Sequence, residues 1–225
     1  MALTGTGAML LFYDIVPAAV EEHDDWHTHE HFPERVGIPG FLRASRWVIC
    51  GAGPRYFVVY EVEDVTVLSG APYLERLNNP TPWTSKMMPN FRGMTRGFCR
   101  LSASAGLGLG TALRSIRVPA PQENPGGMRD TIAAALPAIA ESRGLASAHL
   151  FEPAAQPPMT KEQAIRGKDA EMPWVLAVTG YDDAGVATAA RQLEAVVARH
   201  GIAGPVAGEY RLHGLLTRRE LLGNG

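Results

Sequence analysis

Cysteine is nearly missing: the 225 residues contain two, Cys50 and Cys99. That excludes the disulfide framework on which small secreted domains depend. Both fall in runs of strand formers, so the expectation is two buried free thiols in a reducing compartment. An excess of either charge is also missing, since 21 Lys and Arg against 23 Asp and Glu leave a net charge of -2. Without a basic run or Arg/aromatic interleaving, the chain lacks the electrostatic footprint of a nucleic-acid binder. No stretch approaches the ~18 apolar residues of a membrane span, and the opening MALTGTGAMLLFYDIV has no basic region before its short apolar run. A cytoplasmic protein with neither a nucleic-acid nor a membrane partner is expected. The 46% hydrophobic content suits an ordinary globular chain, long enough for one large domain or two small ones.

The apolar pattern suggests two similar halves. Residues 9–16 read as a strand closed by Pro17, and 18–36 as a helix with acidic residues early and Arg35 late, as the helix dipole favours. Gly37 and Pro39 stop it. Residues 41–50 and 56–62 are strand-like runs around a short Gly/Pro loop, which predicts a hairpin. A second helix is expected over 64–77, weakened by Gly70 and Pro72, then a loop through Asn78, Asn79, Pro80 and Pro82, then a strand over 94–104. The order is βαββαβ.

It then recurs. Strands are expected at 111–118, 145–151, 174–181 and 206–216, with helices over 129–143, kinked or delayed by Pro137, and after Asp182 or Asp183. The expected fold is α+β: two tandem ferredoxin-like βαββαβ halves, 1–106 and 107–225, joined through Gly106, Gly108 and Gly110. These glycines precede a strand and do not open a helix, so they are a connector and not a phosphate loop. Because the second and fourth strands of such a half lie at opposite sheet edges, about 14 Å apart, Cys50 and Cys99 are too distant to bridge. Residues 152–173 interrupt the second half with a Pro-rich, then charged, insertion that reads as an exposed loop or a lid.

The chemistry is concentrated in HDDWHTHEHFPERVGIPGF. At ~100° per residue, Val20, His23, Trp26, His27, Glu30 and His31 share one helix face, with Thr28 and Phe32 turned away and His29 at the boundary. Hydrogen-bonded, inert side chains at a helix margin are the plain explanation of any one of these histidines. Three imidazoles and a carboxylate together on a face that should be apolar instead require a pocket or mutual pairing, since one unpaired buried polar group costs about 1–3 kcal/mol.

His31, Pro33, Pro39 and Gly40 reproduce H-x-P-x5-P-G, with Trp26, Glu30 and Phe41 around it, and the stretch YLERLNNPTPW follows at 73–83. In these features the chain resembles the EthD-like branch of the dimeric α/β-barrel superfamily. The second half lacks the motif, so one site per chain is expected. The resemblance implies a small-molecule cleft between sheet and helices, and cofactor-free acid/base chemistry of cyclase, isomerase, lyase or monooxygenase type on a hydrophobic carbonyl or phenolic compound. It further implies His31 as base, Glu30 or His27 orienting or assisting it, Arg46 stabilising an enolate or phenolate, and Trp26, Tyr60 and Trp83 as aromatic walls. Both barrel halves lie in one chain, so a monomer or a homodimer is expected.

A rival reading takes His27, Glu30 and His31 as H-x-x-E-H, the inverted zinc-protease motif, with His23 as a third ligand to zinc or another divalent metal and no clear fourth. A third makes the cleft a non-catalytic ligand-binding or stress-response site. His149, His200 and His213 are weaker site candidates.

Overall fold

The computed structural model describes residues 2–121, 123–156, 158–202 and 204–223. Eight antiparallel strands close into a barrel: β1 (Gly7–Ile15), β2 (Phe41–Ile49), β3 (Tyr56–Val62), β4 (Phe91–Gly106), β5 (Ala112–Val118), β6 (Leu145–Pro153), β8 (Trp174–Gly180) and β9 (Val206–Thr217). Within the first half the spatial order is β4-β1-β3-β2, and within the second β9-β5-β8-β6. Each is the ferredoxin-like arrangement. Alone, each sheet would leave two unpaired edges. Here β2 pairs with β9 and β4 with β6, so each half closes the other's edges.

Alternation along the strands builds three cores. On β1 and β3, Met9, Tyr13, Tyr56, Val58 and Tyr60 face the first half's helices, while Leu10, Phe12, Phe57 and Val59 face the barrel interior. A third cluster, including Ile116, Leu150, Leu176 and Leu193, joins the second sheet to its helices. Every residue of β3 is buried because both faces are covered.

The helices depart further from expectation than the strands. The first is broken into α1 (Val20–Trp26), a wide π turn over His27–His31, and α2 (Phe32–Val36). The helix expected over 64–77 is a 3-10 turn (Val65–Ser69) followed by α3 (Ala71–Asn78), because Pro72 sits in the first turn of a new helix. Pro82, expected in a loop, opens α4 (Pro82–Met87) in the same way, capped by Thr81. The helix α5 (Pro125–Ala140) starts four residues early on an Asn124 cap and carries Pro137 inside it. After Asp182, whose side chain caps it, α7 (Asp183–Ala198) runs as expected. The 152–173 insertion is not merely an exposed loop. It forms α6 (Lys161–Arg166) and the two-residue strand β7 (Ala170–Glu171), which pairs with β4 of the first half. A short α8 (Arg218–Leu222) follows β9. Among the described residues, no helix is long and apolar enough to cross a membrane.

Both cysteines are free, but only Cys99 is buried; Cys50 lies just past β2 and is exposed, contrary to expectation. At the connector, Gly106 has φ +90°, and a Cβ there would lie 2.2 Å from the Ala146 carbonyl oxygen, so the close approach of β4 to β6 requires glycine.

Inside the barrel, His149 bonds Ser104 Oγ (2.9 Å) and Ser147 Oγ (3.0 Å). Burial, with help from the Arg43 charge, lowers its pKa to about 3. The unfolded chain therefore takes up a proton below pH ~6.5 that the folded chain refuses until about pH 3, and stability falls with pH across that window. From pH 7 to pH 5 this single group should remove about 2 kcal/mol. Urea denaturation of His149→Gln should show a correspondingly smaller loss; equal losses in the two proteins would refute the assignment.

Candidate active site

The π turn shapes this region. Pro33 has no N–H to offer the His29 carbonyl, and its ring would crowd that group in an unbroken helix. The chain widens instead, and the Phe32 N–H bonds the His27 carbonyl five residues back. That extra residue swings Phe32 inward, where its ring packs 4.3 Å from His27. The constant 100° turn behind the expected face therefore fails at Phe32, expected to turn away, while His31 stays beside His27. At the end of the signature, Gly40 takes φ +88° and a Cβ on it would lie 2.6 Å from Val67 Cγ2, which accounts for the glycine after Pro39.

His23, His27 and His31 are all buried and form a ladder: His23 and His27 rings lie 5.2 Å apart, His27 and His31 5.5 Å, and Trp26 covers His31 at 4.3 Å. Their hydrogen bonds assign their protons. Arg46 donates from Nη1 to His27 Nδ1 (3.2 Å), so the His27 proton is on Nε2 and goes to the Tyr60 hydroxyl oxygen (2.9 Å). Tyr60 consequently keeps its own proton free to donate. At His23 the order is reversed: Asp24 accepts from Nδ1 (3.1 Å), so Nε2 accepts the Tyr13 proton (3.0 Å). Two tyrosines that look alike in the sequence thus differ in proton arrangement, one with its proton available and one with it committed.

Arg46 is itself held on all sides, by the Asp24 carbonyl (3.1 Å), Thr28 Oγ1 (3.1 Å) and His213 Nδ1 (3.1 Å). His213 reaches it from β9, so the second half fixes a first-half proton arrangement. Of the expected residues, then, His27, Tyr60 and Arg46 form one chain, and Trp26 and His31 pack against each other with tilted rings.

Glu30 and Trp83 stand apart. The Glu30 carboxylate touches no histidine; it accepts from Trp26 Nε1 (3.1 Å), Thr81 Oγ1 (2.6 Å) and Thr84 Oγ1 (3.3 Å), clamping α4 to the broken helix. Trp83 donates to Glu22 (3.2 Å), to which Lys86 also binds, and does not line the cleft. His29 is exposed, and His200 lies half-buried after the end of α7.

The cleft itself is lined by His27, His31, Tyr60, Arg35, Tyr73, Arg96 and, from the insertion, Glu162 and Arg166. As it stands it encloses about 20 Å³, room for one water molecule. Sequence reasoning missed Arg35, which is 1% exposed and ion-paired with Glu162 of α6. Its spacing of one turn after His31 was a usable signal; its partner, 127 residues away, was not. Three buried atoms here have no hydrogen-bond partner: His31 Nδ1, Arg35 Nη1 and Glu34 Oε2. Glu34 Oε2 lies 3.8 Å from the first and 3.4 Å from the second. Burial, reinforced by Arg35, holds the His31 pKa well below the ordinary value, so the imidazole is neutral at pH 7. Burial lowers His27 likewise and raises Tyr60, which stays a phenol.

No family model and no curated protein matches this sequence. Among solved structures the chain is similar to an anthrone oxidase-like protein (TM-score 0.65, 10% identity, covering 97% of this chain and 95% of that one). It is also similar to a candidate monooxygenase from Fusobacterium nucleatum (0.63, 9%, 96% of both) and to a heme-binding protein from Thermus thermophilus (0.54, 7%, 94% and 92%). These likenesses establish the fold, that of the dimeric α/β barrels with both halves in one chain, and the EthD-like resemblance of the His31 motif agrees with it.

Neither heme nor zinc fits the residues present. The lone pairs of His23 and His27 are taken by Tyr13 and Arg46, and the Arg35 cation opposes a second positive charge at His31. Among the described residues, no three His, Cys, Asp or Glu side chains are placed to hold a metal.

Proposed function

We propose that this protein is a small-molecule enzyme that removes a proton from an acidic C–H or O–H of a hydrophobic carbonyl or phenolic compound, with His31 as the base. The observation that carries this reading is the unpartnered Nδ1 of a neutral, buried His31 beside the unpartnered Nη1 of Arg35. A neutral imidazole with an uncommitted nitrogen thus stands next to a cation without its full set of acceptors, as required where a proton leaves and negative charge develops. The substrate proton would pass to His31 Nδ1, its bonding electrons would spread onto the carbonyl or phenolic oxygen, and Arg35 and the free Tyr60 proton would meet that oxygen. Glu34 would face the imidazolium that results. Arg46 and His27 act on Tyr60, holding its hydroxyl so that its proton points away from His27. The name of the anthrone oxidase-like neighbour suggests polycyclic ketones as first substrates to try.

Proton abstraction can be measured whatever reaction follows it. Aryl ketones with acidic C–H bonds, incubated with the protein in D2O, should lose their C–H signal in proton NMR faster than in buffer. The exchange rate should stay level through pH 6.5, where an ordinary histidine would already be losing activity, and fall only at more acid pH, because the base works only unprotonated and its pKa is depressed. Chelation should leave the rate unchanged. A rate abolished by EDTA and restored by zinc would replace this reading with the metal-dependent one.

A further inference from the structure

The cleft is closed by a charge that belongs to the protein. Three guanidinium groups, Arg35, Arg96 and Arg166, line it. Against them stand Glu162 on Arg35, Asp169 on Arg166 and Arg96 (2.7 and 3.7 Å), and Glu34 beside Arg35 (3.4 Å). With α6 in place the three cations meet three carboxylates. Arg166 belongs to α6 and moves with Glu162, so the helix brings one charge of each sign to the cleft, and what its departure leaves without a partner is Arg35 Nη2.

The enclosed 20 Å³ admits no organic molecule, so a ligand can enter only if a wall moves. The wall carried by the insertion is α6. Besides the Glu162 pair, it is held at its start by the Lys161 N–H on Asn78 (3.2 Å), at its end by Arg166 on Met88 Sδ (3.7 Å) and over the Phe91 ring, and through Gln163 and Arg166 on Asp169, which pairs with Arg96 (3.7 Å). Moving it frees Arg35 Nη2, the nitrogen that Glu162 holds, beside His31 and the aromatic rings of Trp26, Tyr60 and Tyr73 that line the cleft. Breaking a buried ion pair is costly unless another anion replaces the partner that leaves.

We propose that α6 is the gate of this cleft, latched by Glu162 on Arg35, and that the ligand is an aromatic organic anion whose carboxylate or acidic oxygen takes the place of Glu162. The inference rests on the cleft being a ligand site, but not on His31 acting as a base, so binding is measured without turnover and the two readings fail separately.

The probes are 2-naphthoate and its uncharged counterpart 2-naphthamide, followed by isothermal titration calorimetry with the full-length protein. The carboxylate should bind at least tenfold more tightly than the amide. Glu162→Gln, which weakens the latch while keeping its shape, should bind the carboxylate about tenfold more tightly than the unmodified protein. The double variant Arg35→Met with Glu162→Gln removes both ends of the latch and should bring the two probes within threefold of each other. Trypsin reports the gate directly: cleavage after Lys161, Arg166 and Lys168 should accelerate severalfold with 2-naphthoate or in Glu162→Gln, and not with the amide. Equal affinity for the two probes, no binding of the carboxylate by either protein, or weaker binding to Glu162→Gln would each overturn the proposal.

Discussion

His31→Ala should reduce catalysed C–H exchange by a factor of about 10² to 10⁴, the range typical of a lost general base, while leaving the far-UV circular dichroism unchanged. The substitution also removes an imbalance: the buried Nδ1 has no partner to lose, so truncation leaves no newly stranded atom. What it costs structurally is packing against the Trp26 ring, on the order of 1–3 kcal/mol. His200→Ala is the matched control, since that side chain follows the end of α7 on the other half and should affect neither rate nor fold. Full activity in a folded His31→Ala protein would remove the catalytic role from this residue. In that case Tyr60, whose free proton is set by His27 and Arg46, would be the next group to test.

Arg35→Ala should be the most destabilising single change in the cleft, by about 3–5 kcal/mol, because it strands a buried carboxylate on Glu162 and withdraws the cation nearest Glu34. Both partners are nearly inaccessible, at 1% and 5% exposure, so solvent screening offers little relief. Neutralising both ends, Arg35→Met with Glu162→Gln, should recover most of the loss, since two uncharged groups of similar size need no mutual compensation. Urea denaturation of the two single variants and the double variant gives the coupling directly, and more than about 1 kcal/mol is expected for a contacting pair. An Arg35→Ala protein within about 1 kcal/mol of the parent would show that Glu162 is not held as described.

The strands were legible because their signal is local. Alternation along 9–16 and 56–62 follows from the two-residue period of an extended chain, and the repeated element order made the paired ferredoxin-like halves the natural reading. The histidine face was legible up to His27 for the same reason, since a helix of constant pitch brings His23, Trp26 and His27 together. Past that point the reading failed at Phe32, because the chain answered Pro33 with a wider turn, and a periodicity argument assumes there is none. Glu30 illustrates a second limit: its place beside the histidines was correct along the helix, but its carboxylate was claimed by Thr81 and Thr84 of a turn and helix not expected there.

By itself, then, the sequence determined which residue types could do chemistry and on which segment they stand, because composition and short-range period act within a few turns of the chain. Only the tertiary structure decided their states. The proton on Tyr60 depends on Arg46 from β2, steadied by His213 from β9; the closure of the cleft depends on Glu162, carried in from the other half; and the neutrality of His31 depends on burial beneath both. Hydrogen bonding and desolvation are settled by neighbours in space, and here those neighbours lie as many as 167 residues apart in the chain.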